Sequence, residues 1–501
     1  MTEARTAGRR TSRLITRVLT LSALAVIALA AWGMSSPAGS SPDDDFHLAS
    51  IWCGQGERPG LCESITQTSV MVPDNVVHAP CFAFNKEITG ACQAKLSGEL
   101  TVAKHMNSVE HTYPPGFYWV MSWFAGHDVS LSVQLMRLFN TVLFVGCAAA
   151  TFVLIKPAWR LPLGLSLAVT IVPLGAFIIP STNPSSWILY APAFIYVLAR
   201  TLVRERSRGR AITIAAVTIA IAALASSARA DAAIFAVAAF ALAMLAEWGK
   251  WWRNWMPYVT GAVIAVVGIV SLLVARQSSA AAAGLETGAS DAARRSIGLL
   301  LRNLMDLPGL YVGSIGASGL GWLDTPMYSV VWVSLLLVLG GLLMSAISTK
   351  RGPREFLIPA LATLMMIVVP IAIAQNSGAN FGSYVQPRYV LPLLALMILT
   401  LLTTRTTRIL GSRRQLMLTL LVVVVVNAIS LATNTLRYTG GLTHPESWQP
   451  PLPGIVVIAV GSIAAAALAV VSYRSNSQLA LLSADQIPSP DAPEQLAVNP
   501  S

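Results

Sequence analysis

Apolar runs of about 20 residues, each long enough to cross roughly 30 Å of hydrocarbon, recur from Leu14 nearly to Tyr473. Backbone at that depth has no water to bond, so it must satisfy its own polar groups as helix or closed barrel. The runs are too long and continuous for barrel strands. They predict an all-α polytopic membrane protein with about twelve transmembrane helices, at 14–33, 131–155, 161–180, 186–203, 211–228, 232–248, 257–275, 329–348, 355–374, 388–404, 415–433 and 453–473. With 54% hydrophobic and 11% charged residues, the chain is too apolar for an ordinary soluble domain.

Arg9, Arg10 and Arg13 precede the first run, and the later basic loops are "RERSRGR" (204–210), "KWWRN" (250–254), "TKRGPRE" (349–355) and "RTTRILGSRR" (405–414). Twelve spans with both termini in the cytoplasm put all of them on one side, as the positive-inside rule requires. The expected location is the cell membrane, multi-pass, and the bilayer is the first expected partner. The net charge of +11 then reflects topology, and no nucleic acid is expected. No small-x-small site followed by a polar mature start follows the first run, so it is expected to stay as an anchor.

This organisation gives a cytoplasmic N-terminus (1–13), the first span (14–33), an extracytoplasmic loop (34–130), spans two to seven (131–275), a second outer loop (276–328), spans eight to twelve (329–473) and a cytoplasmic tail (474–501). The tail's "SADQIPSPDAPEQLAVNPS" is Pro-rich and polar, which predicts disorder. Nearly all soluble mass lies on the outer side, so function is expected to face outward.

Cys53, Cys62, Cys81 and Cys92 lie in the first outer loop, and Cys147 sits alone in the second span. An even number in an extracytoplasmic loop predicts two disulfides. Three connectivities are possible; Cys53 with Cys62 and Cys81 with Cys92 is preferred, because it staples loops with little apolar surface to bury. Two amphipathic segments are candidates to lie flat in the interface. One is "HTYPPGFYWVMSWFAGHD" (111–128), too short to span. The other is "DAARRSIGLLLRNLMDLPGLYVG" (291–313), whose Ile297, Leu300, Leu301, Leu304 and Met305 share one helical face opposite Arg294, Arg295 and Arg302.

Five further patterns occur in order: "SPDDDFHLASIW" (41–52), "YPPGFYWVM" (113–121), "STNPSSWILYAPA" (181–193), "GLGWLDTPMYSVVW" (319–332) and "SYVQPRYVLPLLAL" (383–396). Together they resemble the bacterial membrane family called domain of unknown function 2142, whose typical forms run PDEPxHF, HPPLYY, NP, GWLDTP and QGRYLLP. The resemblance spans roughly 35 to 435. This chain departs from it in having Asp44–Asp45 where Asp–Glu is usual and Pro387 where Gly is usual. That family is in turn similar to the GT-C superfamily of glycosyltransferases. The resemblance implies a GT-C-like fold and an inverting enzyme that takes sugar from a polyprenyl-phosphate donor. It also implies an acidic residue on the first outer loop and an envelope glycan or lipid as acceptor.

Inverting transfer needs a base for the acceptor proton and stabilisation of the departing phosphate. Asp43, Asp44, Asp45 and His47 can supply the base and carboxylate ligands for Mg²⁺ or Mn²⁺; one aspartate can equally cap a helix starting near Phe46. Asp44 and Asp45 rank first, as base and metal ligand in either order. Arg388, at the outer mouth of the tenth span, suits bidentate phosphate binding or a structural ion pair, with Tyr389 beside it to pack on isoprenoid or sugar. Arg229 in the turn "SSARADAA" either binds donor phosphate or pairs with Asp231. Asp324 and Trp322 offer a hydrogen bond and a stacking surface to the acceptor, or a turn and helix start. Lys104 and His105 are too isolated to rank. No Asp or Glu lies deep in a span, and only Arg137 sits inside one, near its outer end. Coupled transporters place ionisable groups near the midplane, so this disfavours one without removing an uncoupled flippase of lipid-linked glycan or a non-catalytic envelope-assembly protein. No P-loop, GxSxG, HExxH or Rossmann fingerprint occurs.

Overall fold

A computed structural model describes residues 2–250, 254–275, 296–347, 352–382, 385–403, 413–441 and 448–484, with only the backbone for 2–15, 354 and 475–484. Helix α1 (Thr2–Met34) leads into a folded insert holding α2 (Asp44–Trp52), strands β1 (Glu63–Thr66), β2 (Ser69–Pro73) and β3 (Leu100–Ala103), and α3 (Gly116–Ser122). Then come α4 (Val129–Leu154), α5 (Pro157–Thr170), α6 (Ala191–Val203), α7 (Arg208–Ala228), α8 (Ala230–Ala246) and α9 (Met256–Val274). After these follow α10 (Ile297–Val312), α11 (Ser329–Ile347), α12 (Pro353–Ser377), α13 (Pro387–Leu402), α14 (Arg413–Thr439) and α15 (Gly454–Ala484).

Among the described residues, ten helices are long and apolar enough to span: Thr16–Met34, Val129–Leu154, Pro157–Ile178, Pro184–Val203, Arg208–Ala228, Met256–Val274, Ser329–Ile347, Glu355–Ser377, Arg413–Thr439 and Gly454–Arg474. The two remaining expected spans correspond to the shorter α8 and α13, of 17 and 16 residues. Helix α13 is buried along almost its whole length and packs on α5, α6 and α12. Its backbone is shielded by protein rather than lipid, so it has no need to match the bilayer thickness. Outer helices instead turn apolar side chains outward, among them Leu273, Leu337 and Ile463. The helix begun by α5 breaks at Pro173, where Val172 takes extended angles, as a residue before proline prefers.

The insert adds what the sequence did not suggest, a small antiparallel sheet in the order β1-β2-β3, with Val70 opposite Ala103 and Val72 opposite Thr101. Both disulfides join neighbours, Cys53–Cys62 and Cys81–Cys92. Phe46, Trp52, Val72, Met106, Phe117 and Met121 form the insert's own core. The aromatic segment 111–128 differs from the expected flat helix. Only Gly116–Ser122 is helical, and it buries Phe117, Tyr118 and Met121 in that core. Trp119 and Trp123 stay exposed, edge to face at 5.7 Å.

In α10 the buried face is Asn303, Leu307 and Leu310, while Ile297, Leu300, Leu301, Leu304 and Met305 are exposed. Asn303 Nδ2 donates to Ala379 O at 3.0 Å, so this helix leans on the end of α12 and leaves its apolar stripe outward. Arg294 and Arg295 lie outside the described residues, as do most of the basic loops at 251–253, 348–351 and 404–412. The first and last helices run beyond the expected bounds, from Thr2 and to Ala484. The tail from 485 is outside the described residues.

Candidate active site at the end of the first span

The chain leaving α1 is polar yet buried: Ser35, Ser36, Ser40 and Ser41 are all at most 2% exposed. Arg137 of α4 makes this possible. Its Nη1 donates to Gly33 O (2.8 Å) and Ser36 O (2.5 Å), and its Nη2 to Pro37 O (2.8 Å) and Ser40 Oγ (3.0 Å). A guanidinium carries five donors in a fixed fork, so one buried cation satisfies four acceptors in the last turn of α1 and the irregular segment that follows it. Asn183 Nδ2 then holds Pro42 O at 2.8 Å, and Trp322 Nε1 holds Gly39 O at 2.9 Å. The "STNP" and "GWLDTP" patterns thus clamp the approach to the aspartates.

Asp44 is wholly buried and structural in its contacts. Its Oδ1 accepts from Thr182 Oγ1 at 2.8 Å and its Oδ2 from Ser41 N at 3.0 Å. Burial outweighs these bonds and pushes its carboxyl up to about 7. Asp45 is exposed, and among the described residues no hydrogen bond ties its side chain to this network.

Asp43 differs from both. It is the N-cap of α2 in the left-handed region, φ 59°, and its side chain does not cap the helix. Few non-glycine residues adopt this conformation, Asp among them, and such strain clusters at functional sites. The effect is to swing the carboxylate off the helix onto Arg388, with Oδ2 accepting from Nη2 at 2.5 Å. The Asp43 side chain keeps 38% of its surface accessible against 3% for Arg388. Burial pulls the Asp43 carboxyl upward, but the charges of Arg388 first and then Arg229 hold it below the usual carboxylate range.

Arg388 also donates to Gln386 Oε1 and, at 2.8 Å, to Tyr389 Oη, while its buried Nε has no partner. Arg229, between α7 and α8, forms a two-pronged pair with Asp231 at 3.0 and 2.7 Å. Its guanidinium also lies 4.5 Å from the Tyr389 ring and 5.7 Å from that of Tyr113. Arg388 is 4.7 Å from the Tyr389 ring, so one tyrosine meets two guanidinium groups. His47 Nδ1 and Tyr118 Oη are 2.9 Å apart, and burial, reinforced by the arginines against the pull of Asp43, drives the imidazole down to about 3. His47 is therefore neutral at physiological pH. Phe46, Tyr113 and His105 complete an aromatic wall, with Phe46 and His105 4.9 Å apart.

Of the residues singled out in the sequence, Asp43, His47, Arg229, Arg388 and Tyr389 therefore meet at one place. Trp322 and Asp324 lie in another. There Asp324 Oδ2 is 3.4 Å from Arg437 Nη2, and Arg437 also donates to Ile88 O (2.5 Å) and Asn85 O (2.8 Å) in the loop closed by Cys81–Cys92. Tyr113, Tyr118, Gln386 and His105 went unranked as site residues, although three of them stand inside the quoted patterns. Registered on Pro42 and His47, the form PDEPxHF puts its first acid on Asp43 rather than Asp44. Both Asp44 oxygens accept hydrogen bonds, Asp43 is paired with Arg388, and among the described residues no three His, Cys, Asp or Glu side chains group as ligands for a divalent cation.

No curated protein and no solved structure matches the chain. The family model described as "Predicted membrane protein (DUF2142)" matches residues 26–397, well over half the chain and all five patterns that build these two clusters. The chain belongs to the DUF2142 family of membrane proteins.

Proposed function

We propose that this protein is an inverting, GT-C-type glycosyltransferase that moves a sugar from a polyprenyl-phosphate donor to an envelope glycan or lipid acceptor on the outer membrane face, with both termini in the cytoplasm. The observation that carries this reading is an accessible carboxylate, Asp43, held in a strained backbone conformation against buried Arg388, with Arg229 across the same tyrosine. A phosphate is the ligand that two adjacent guanidinium groups favour, and Arg388 Nε is a free donor for it.

In this mechanism Arg388 and Arg229 bind the donor phosphate, and Tyr389 and Tyr113 pack against the sugar or the first isoprene unit. The acceptor oxygen attacks the anomeric carbon from the face opposite the phosphate. The bond from that carbon to the phosphate oxygen breaks, its electron pair leaves with the polyprenyl phosphate, and the acceptor proton passes to Asp43. The two arginines offset the charge gathering on the leaving group. Asp44 shapes the turn that aims Asp43, and no step is routed through Mg²⁺ or Mn²⁺.

The test is purified protein in proteoliposomes with radiolabelled polyprenyl-phosphate sugars and envelope extract as acceptor. Wild type should transfer label, Asp43→Asn and Arg388→Ala should not, and Asp44→Asn should. Transfer at wild-type rate by both Asp43→Asn and Arg388→Ala defeats the proposed site. Movement of lipid-linked glycan across the bilayer with no donor consumed replaces it with a flippase.

A further inference from the structure

Between α1, α4, α5, α14 and α15 runs a groove of about 380 Å³ lined almost wholly by apolar side chains, among them Ala28, Phe152, Leu165, Ala168, Leu420 and Leu468. All five helices belong to the candidate spans, so the groove lies at hydrocarbon depth. Apolar walls do not hold water, and an unfilled groove forfeits packing contacts along its length. In a bilayer, hydrocarbon fills it.

The groove's two ends differ. Trp32 Nε1 donates to Asn427 Oδ1 at 3.0 Å, and this pair closes the end nearer Asp43. Arg17 and Arg160 line the other end, and among the described residues no Asp or Glu lines the groove. Arg160 spends little on protein: one contact of 3.4 Å to Val153 O, with a buried Nε lacking any partner. From Arg17 to Trp32 the rise along α1 is about 22 Å at 1.5 Å per residue. That is about half of a bilayer measured with its headgroups, which is roughly 40–45 Å.

We propose that the groove is a binding site for one anionic phospholipid, its phosphate on Arg17 and Arg160 and one acyl chain reaching to Trp32. This lipid enters from the membrane face opposite Asp43, so its phosphate cannot be the one that Arg388 would bind. It welds α1, which presents the Asp43 segment, to α5, α14 and α15. The site stands whether or not the protein transfers sugar.

The test uses the full-length protein extracted in mild detergent after reconstitution with phosphatidylcholine alone or with added phosphatidylglycerol, followed by native mass spectrometry. Wild type should retain one phosphatidylglycerol per chain and melt at higher temperature in its presence. The double variant Arg17→Ala/Arg160→Ala should retain it about thirtyfold less well, since each basic residue near a surface contributes on the order of 1 kcal/mol to anionic-lipid binding. Ala168→Leu, which narrows the groove without touching charge, should lose the lipid too. If that variant folds poorly, the lipid-dependent melting shift of the arginine variant decides alone. Equal retention of phosphatidylcholine, undiminished retention by the arginine variant, stoichiometric displacement by polyprenyl phosphate, or no retained lipid each overturns the proposal.

Discussion

Replacing Asp44 by Asn is expected to remove a burden from the fold and leave the chemistry intact. The carboxyl is wholly buried, and burial lifts it from an ordinary 3.8 to about 7 in spite of bonds from Thr182 and Ser41. A folded-state value above the unfolded one means that the native chain binds the proton more tightly. The stabilisation is therefore complete below about pH 4 and is lost as pH rises towards 7. Three units at 1.36 kcal/mol each make the loss about 4 kcal/mol across that window. Asn has no proton to lose; its Oδ1 accepts from Ser41 N–H and its amide donates to Thr182 Oγ1. Melting temperature in detergent, taken from about pH 4.5 to 8, should fall with rising pH in wild type and change less in the variant, which should be at least as stable near pH 8. A variant that melts several degrees below wild type near pH 8 would show that the ionised Asp44 carboxylate is stabilised by its partners rather than penalised by burial. Loss of transfer at unchanged stability would return Asp44 to the role of base.

Removing Arg137 should be among the most damaging single changes. Arg137→Ala strips four acceptors of their donor and should cost about 3–5 kcal/mol, the range for breaking a buried charged network, read as loss of folded protein by size-exclusion chromatography. Opening either disulfide by paired Cys→Ser substitution should cost about 2–3 kcal/mol for loops of this length, measured as a lower melting temperature. The Cys81–Cys92 pair should also loosen Arg437, which leans on carbonyls inside that loop. Asp324→Asn should lower stability while leaving donor affinity unchanged, measured by competition with unlabelled polyprenyl phosphate. The pH–rate profile of Asp44→Asn, which removes the carboxyl held at about 7, should lack an inflection near 6.5, because His47 is held at about 3 and Asp43 below its ordinary value; a histidine-like limb in that variant contradicts the assignment.

The spans were legible because bilayer thickness imposes a run length that a sequence must show. Helix α13 is short because protein, not lipid, surrounds it, and a hydropathy run cannot reveal what surrounds it. The disulfide pairs followed from chain proximity. The sheet of the insert was missed because its strands are only four or five residues long and none of the three shows a clean alternation of burial. At the site, the acidic cluster and Arg388 were visible as residues whose cost demands a reason. The choice among three adjacent aspartates was not, because it turns on one left-handed backbone angle at Asp43 and on Thr182, which lies 138 residues beyond Asp44. Asp324 offered an acceptor hydrogen bond or a turn; Arg437, its partner, lay beyond the quoted patterns.

The central claim is that Asp43 takes the acceptor proton while Arg388 holds the phosphate. The most direct measurement is the single-turnover rate of Asp43→Asn at saturating donor, beside its donor affinity. The account predicts a rate lower by about 10²–10⁴-fold, the usual worth of a positioned general base, with donor binding retained through Arg388 and Arg229. A wild-type rate at saturating donor contradicts it.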